Sequence, residues 1–156
     1  MDARTAGGAR ALAAAGAVFA LDQGTKQAVT AWLGRGERAN VFLGLDITNT
    51  RNTGVAFGAL EGAGLVVAIL IGISLGVLLA YFALNAAMPW LWLPVGMLVG
   101  GALGNLADRA REGAVIDFID PVAWPAFNLA DASIVIGVLV LLYVVEGRRA
   151  GVRGRQ

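Results

Sequence analysis

Apolar and polar residues occur along this chain in long blocks. Four apolar runs have the length of membrane-crossing helices, at residues 11–33, 63–84, 89–106 and 126–145. At about 1.5 Å of rise per residue, a helix of such length crosses the roughly 30 Å hydrocarbon core of a bilayer. The pattern therefore predicts a single-domain, all-α integral membrane protein with four transmembrane helices.

The first apolar run has two interpretations. Residues 11–21 alone have the character of the apolar core of a cleaved signal peptide, but apolar residues resume after Lys26 and continue through Leu33. We therefore favour a retained first span over a cleaved signal peptide.

The third run carries small residues at regular spacing. Gly96, Gly100 and Gly104 are four residues apart, which places them on one face of a helix. Because small residues let another helix approach closely, this face is predicted to pack against protein and not lipid.

The two polar segments between the runs differ in character. Residues 34–61 contain β-branched and aromatic residues in partial alternation, interrupted by Gly and Asn, which predicts a small sheet on the membrane surface. Residues 107–125 are predicted to form an outer loop. Arginines are concentrated in both tails, so the positive-inside rule places both termini in the cytoplasm and both polar segments outside.

Composition excludes several kinds of chemistry. The chain has no cysteine and no histidine, which removes disulfides, Ser-His-Asp and Cys-His catalysis, and the usual zinc ligands. A net charge of +1 gives no support to nucleic-acid binding. Chemistry must therefore come from carboxylates, amides, lysine or hydroxyl groups.

Unusual polar residues gather at the predicted outer end of the bundle. These are Asp22, Lys26, Asn52, Asn105, Asp108, Asp117, Asn128 and Asp131. Asp131 would lie about five residues inside the fourth run, ~7–8 Å below its outer end. A carboxylate at such a place is costly, ~2.5–3.5 kcal/mol at mid-helix, which makes it a candidate for function.

Two carboxylates near a membrane surface suggest acid–base hydrolysis of the aspartic-protease type. Asp117 and Asp131 would share one proton, because like charges held close cannot both ionise easily. The other polar residues also have plain structural interpretations. Asp22 and Lys26 can form an ion pair within one helix, Asp108 and Arg109 can end a helix, and the remaining loop charges can be solvated turn residues, namely Arg111, Glu112 and Asp120.

Other functions stay open on the residues alone. Lys26 with Ser133 or Ser74 could form a Ser-Lys hydrolase. Intramembrane carboxylates could serve a proton or cation pathway, although the inner halves of the runs are almost free of polar groups. The glycine face of the third run could support assembly only.

Short motifs bear a more specific resemblance. DQGTK at 22–26, NTGVAF at 52–57, GGALGNLADR at 100–109, VIDF at 115–118 and FNLAD at 127–131 stand in one order along nearly the whole chain. Together they resemble the bacterial lipoprotein signal peptidases, also called signal peptidase II. Val55 stands where a small residue is expected, and the link from Asp117 to Asp131 is short.

The resemblance implies a membrane aspartic endopeptidase that cleaves prolipoproteins just before a diacylglyceryl-modified cysteine. It implies Asp117 and Asp131 as the catalytic pair, and Asn52, Asn105, Arg109 and Asn128 as substrate-binding residues. Structural support of the site would come from Asp22, Lys26, Gly54 and Asp108.

The resemblance also implies a setting for the enzyme. Residues 34–61 would form an extracytoplasmic β-cradle over an active site at the outer face of the cytoplasmic (inner) membrane. The partners would be the lipid-modified prolipoprotein, membrane lipids and the cyclic peptide inhibitor globomycin. No metal and no cofactor are expected.

Overall fold

A computed structural model describes residues 2–53 and 64–153 of the chain. In this part of the chain, helices and one small sheet alternate. The helices are α1 (Ala3–Trp32), α2 (Gly64–Asn85), α3 (Trp92–Glu112) and α4 (Leu129–Arg153). The strands are β1 (Arg38–Phe42), β2 (Leu45–Asn52) and β3 (Val115–Pro121).

Three helices extend several residues beyond the apolar runs that predicted them, α1 at its start and α3 and α4 at their ends. Helix α1 begins at Ala3 because the Asp2 carboxylate caps it, accepting the Thr5 N–H at 2.8 Å. Helix α3 continues to Glu112 and ends at Gly113, whose φ of 70° closes the last turn in the left-handed region. The predicted span ends near 106, before the helix does, because hydropathy falls before helical geometry does.

The small sheet predicted for residues 34–61 is confirmed. It also contains a third strand, which comes from a different part of the chain. Its order is β1-β2-β3, antiparallel throughout, with Arg38 opposite Thr48 and Thr50 opposite Asp117. Strand β3 lies in the stretch expected to be an outer loop, residues 107–125. This stretch pairs with a distant strand, and such pairing is not visible in local sequence. Residues 54–61 of the expected cradle lie outside the described residues.

Helix α4 begins at Leu129, later than the expected start near 126. The residue before its cap, Phe127, exchanges backbone hydrogen bonds with Ile119 of β3, at 2.8 and 2.9 Å. The chain is therefore extended up to Asn128, and Asp131 lies in the first turn of α4 and not deep inside it.

Helix α3 is the centre of the bundle. It packs against α1, α4 and α2. A Cβ added at Gly96 would lie 2.5 Å from the Ala14 Cβ, and one at Gly100 would lie 2.6 Å from the Ala15 carbonyl oxygen. The predicted close packing of this glycine face is confirmed.

Large apolar side chains cover the outer faces of α2 and α4. Val77 and Leu84 of α2 and Leu142 and Tyr143 of α4 are each more than half exposed. Among the described residues, Leu129–Arg148 is the segment long and apolar enough to cross a membrane, and Ile69–Asn85 is a shorter apolar helix.

Candidate active site

Asp117 lies in the middle of β3 and is almost completely buried, with 2% of its surface exposed. Its two carboxylate oxygens accept hydrogen bonds from two asparagine amides, Asn52 Nδ2 at 2.9 Å and Asn128 Nδ2 at 2.8 Å. The sheet register explains the first contact. Asn52 pairs with Val115, so it is the diagonal neighbour of Asp117 on the same face.

Asp131 lies in the first turn of α4 and forms a reciprocal cap with Asn128. The Asn128 Oδ1 accepts the Asp131 N–H at 2.9 Å, and Asp131 Oδ2 accepts the Asn128 N–H at 3.4 Å. This arrangement is a capping box with an amide and a carboxylate in the two roles. Asn105 Nδ2 donates to the other oxygen, Oδ1, at 2.7 Å.

Asn128 joins the two carboxylates. It is fully buried, its side chain binds Asp117, and its backbone N–H binds Asp131. Asn128 therefore fixes the position of β3 relative to the start of α4, and each of these two elements carries one of the carboxylates.

Burial raises the pKa of Asp117 from its ordinary value of 3.8 to about 6. The hydrogen bond from Asn52 opposes this rise in pKa, and the negative charge of Asp131 adds to it. The charge of Asp131 acts on Asp117 as expected for two carboxylates that compete to ionise at one site.

Beneath the pair lies a buried ion cluster. Lys26 Nζ contacts Asp22 Oδ2 at 2.8 Å and Asp108 Oδ2 at 2.6 Å. Asp22 Oδ1 accepts the Ala130 N–H at 3.0 Å, and Asp108 Oδ2 accepts the Ile116 N–H at 3.2 Å. The cluster thus ties α1 and α3 to the start of α4 and to β3. Asp22 and Lys26 are more than a pair within one helix.

Asn105 connects the cluster to the carboxylate pair. Its Oδ1 accepts hydrogen bonds from Lys26 Nζ and from Asn128 Nδ2, both at 3.2 Å, while its Nδ2 donates to Asp131. The side-chain amide is therefore held in one orientation from three sides.

Comparison with known proteins identifies the family of this chain. Residues 14–145 match the sequence model of the family described as signal peptidase (SPase) II. The chain belongs to the signal peptidase II family. The resemblance carried by the short motifs is confirmed, and membership makes this chain a protease of lipoprotein signal-peptide processing.

Individual members of the signal peptidase II family match over most of the chain. The lipoprotein signal peptidase of Pelotomaculum thermopropionicum is 42% identical over 82% of this chain and 86% of its own length. That of Nitratidesulfovibrio vulgaris is 35% identical over 93% of this chain and 94% of its own length. A bacterial membrane enzyme solved at 1.9 Å resolution superposes with a TM-score of 0.79 at 33% identity, covering 86% of this chain and 91% of its own.

Two more residues were expected at the signal peptidase site, Arg109 and Gly54. Arg109 is half-buried, and its Nη1 donates to the Asn105 carbonyl oxygen at 3.4 Å, one turn away on α3. The structure does not bring its guanidinium to the carboxylate pair. Gly54 lies outside the described residues.

Sequence reasoning missed Gln23 and misread Arg111 and Glu112. Gln23 Nε2 donates to Asp22 and Asp108 at 3.1 and 3.0 Å, and its Oε1 accepts from Arg111. Arg111 also pairs with Asp108, and Glu112 pairs with Arg51 of β2 at 2.5 Å, so the solvated-loop interpretation was wrong. The Asp108–Arg111 spacing of three was the available signal, once the helix is known to continue.

The hydroxyl alternatives have other partners in this structure. Ser133 Oγ donates to the Met97 carbonyl oxygen at 3.1 Å, and Lys26 is held between two carboxylates. A lysine held by two carboxylates is not placed to take a proton from serine. Among the described residues, no cluster of three carboxylates, histidines or cysteines is placed to hold a metal ion.

Proposed function

We propose that this protein is a membrane aspartic endopeptidase in which Asp117 and Asp131 activate water. The observation that carries the proposal is that Asn128 binds two carboxylates, and that burial raises the pKa of one of them, Asp117, to about 6. A pair that holds one proton near neutral pH can supply an acid and a base at once.

The reaction follows from that shared proton. The ionised carboxylate takes a proton from water, which attacks the scissile carbonyl, while the protonated carboxyl donates a hydrogen bond to the carbonyl oxygen. The proton then passes to the leaving amine. Asn52 and Asn128 orient Asp117, and Asn105 orients Asp131, so the two groups face the same peptide bond.

The substrate that we propose is a prolipoprotein whose cysteine already carries diacylglycerol, cleaved just before that cysteine. The names of the relatives support a lipoprotein substrate. Asn52, Asn105, Arg109 and Asn128 would bind the substrate backbone, and Asp22, Lys26 and Asp108 would hold the site. Globomycin, which blocks the family, is expected to bind at the same carboxylates.

We further propose four membrane spans, with both termini in the cytoplasm and the active site near the extracytoplasmic face. The exposed apolar surfaces of α2 and α4 support immersion in lipid, as does similarity to solved membrane enzymes. A lipid-anchored substrate then presents its scissile bond at the depth of the sheet and the start of α4.

Cleavage of a diacylated prolipoprotein by the purified protein tests the mechanism. Asp117→Asn and Asp131→Asn should each lower kcat/KM by more than about 10³-fold while the protein stays folded. Asp120→Asn, on the same strand as Asp117, is the matched control and should stay active. Full activity in either Asp117→Asn or Asp131→Asn would contradict the proposal, and Asp131-dependent proton flux into liposomes would favour the transport alternative.

A further inference from the structure

The buried ion cluster is unbalanced if only its fully buried members are counted. Asp22 and Asp108 are 0% exposed and Lys26 is 1% exposed, which gives two negative charges and one positive. An uncompensated buried charge is strongly destabilising. The cluster therefore needs a second cation.

Arg111 supplies this charge from the protein surface. Its Nη2 lies 3.3 Å from Asp108 Oδ1, while its side chain is 55% exposed. Gln23 lies between Arg111 and the buried groups, because its Oε1 accepts from Arg111 and its Nε2 donates to both carboxylates. The arginine and the glutamine thus complete a neutral group of four charges.

The charge of the cluster reaches the carboxylate pair by two routes. Lys26 binds Asn105, which donates to Asp131, and Asp22 accepts the N–H of Ala130, the residue before Asp131. A negative charge left in the cluster would therefore act on Asp131 at short range.

We propose that Arg111 is a positioning residue which neutralises the Asp22–Asp108 cluster by its ion pair with Asp108, while its hydrogen bond to Gln23 holds it in place. The neutral cluster thereby sets the pH range in which the carboxylate pair holds one proton. This rests on the proposed function of Asp117 and Asp131. The other charged groups on the elements packed against the pair lie on α1, β2 and α3, and they are Asp22, Lys26, Arg51, Asp108, Arg109 and Glu112.

The pH profile of kcat/KM for prolipoprotein cleavage tests the proposal. In Arg111→Gln, an uncompensated negative charge opposes proton loss from the pair, so both limbs of the profile should move to higher pH by roughly half a unit. Arg111→Lys keeps the charge and should return the profile toward its original position. Arg38→Gln, an exposed arginine of β1, is the control and should leave the profile in place.

A change of opposite sign gives an independent test. Asp108→Asn leaves an excess positive charge and should move the profile to lower pH, while the double variant Arg111→Gln/Asp108→Asn should return it toward wild type. These two variants also decide the matter if Arg111→Gln does not fold.

A profile that keeps its position in all these variants, whatever its height, would overturn the role of Arg111. Asp131→Asn is measured in parallel to separate the two proposals. Activity in Asp131→Asn counts against the carboxylate pair itself, whereas an unmoved profile with an inactive Asp131→Asn counts against Arg111 alone.

Discussion

At the scale of single residues, Asn128 binds both carboxylates and the start of α4. Its side-chain oxygen caps α4, its amide binds Asp117, and its backbone N–H binds Asp131. Full burial excludes water from these contacts, so each hydrogen bond fixes geometry that solvent would otherwise compete for. Capping of α4 and alignment of the two carboxylates are therefore coupled in one residue.

Asn128→Ser should separate these two roles. Serine still caps the helix, so this variant should lose less stability than Asn128→Ala, but the amide donor to Asp117 is lost. We expect kcat/KM to fall by about 10²-fold through misalignment. Asn128→Ala, which also lacks the cap, should unfold at lower temperature. Wild-type kcat/KM in the serine variant would show that the amide is dispensable.

The raised pKa of Asp117 predicts a pH-dependent cost in stability. Between its unfolded value near 3.8 and its folded pKa of about 6, the native state binds more protons than the unfolded state. Stability therefore falls as the pH rises through this window. Asp117→Asn has no titrating group at this position. Its free energy of unfolding minus that of wild type should therefore rise by on the order of 2–3 kcal/mol between pH 4 and pH 7.5.

Thermal unfolding in detergent micelles across that pH range measures the difference. Asp120→Asn is the control for loss of a carboxylate from the same strand. A stability difference between Asp117→Asn and wild type that does not change with pH would show that burial of Asp117 leaves its titration unaltered.

At the scale of elements, α3 carries a close-packing face in its first turns and polar side chains of the site in its last turns. Its first turns present Gly96 and Gly100 to α1, where backbones approach closely. Its last turns present Asn105 and Asp108 to the carboxylate pair and the ion cluster. Close packing of α1 and α3 along the first turns of α3 sets the distance between the polar side chains that these two helices carry.

Gly100→Ala tests the close packing. The new Cβ would lie 2.6 Å from the Ala15 carbonyl oxygen, so α1 and α3 must separate, at a cost of about 1–3 kcal/mol. Gly76→Ala on α2 is the matched control, because nothing lies within 4 Å of its Cβ position and alanine favours helix. Equal melting temperatures for the two variants would contradict the packing.

At the scale of the whole molecule, the polar network and the apolar surface lie apart. The buried charges collect where the sheet meets the start of α4, and exposed apolar side chains cover α2 and the rest of α4. Such a division fits a protein whose sides face lipid and whose one end faces water.

The orientation in the membrane is testable by labelling, since the chain has no cysteine of its own. Single cysteines at Arg4, near the start of α1, and at Val122, just after β3 and 84% exposed, should react from opposite sides. A membrane-impermeant maleimide added to intact cells should label Val122→Cys and spare Arg4→Cys. The reverse pattern would contradict cytoplasmic termini.

The sequence by itself determined the features that depend on local order. Apolar blocks and the four-residue spacing of Gly96, Gly100 and Gly104 follow from composition and period, and the short motifs carried the resemblance to the family. The apolar blocks and the glycine spacing each lie within one element, so neighbouring residues are enough to carry these signals.

Only the tertiary structure decided the features that depend on distant partners. Strand β3 exists through pairing with β2, α4 starts at Leu129 because Phe127 binds β3, and Arg111 has a role because Gln23 of α1 lies beside it. Local propensity is blind to such contacts, since each is stabilised by groups far away in the chain. The sequence identified most of the functional groups, and the tertiary structure determined which of them lie in contact.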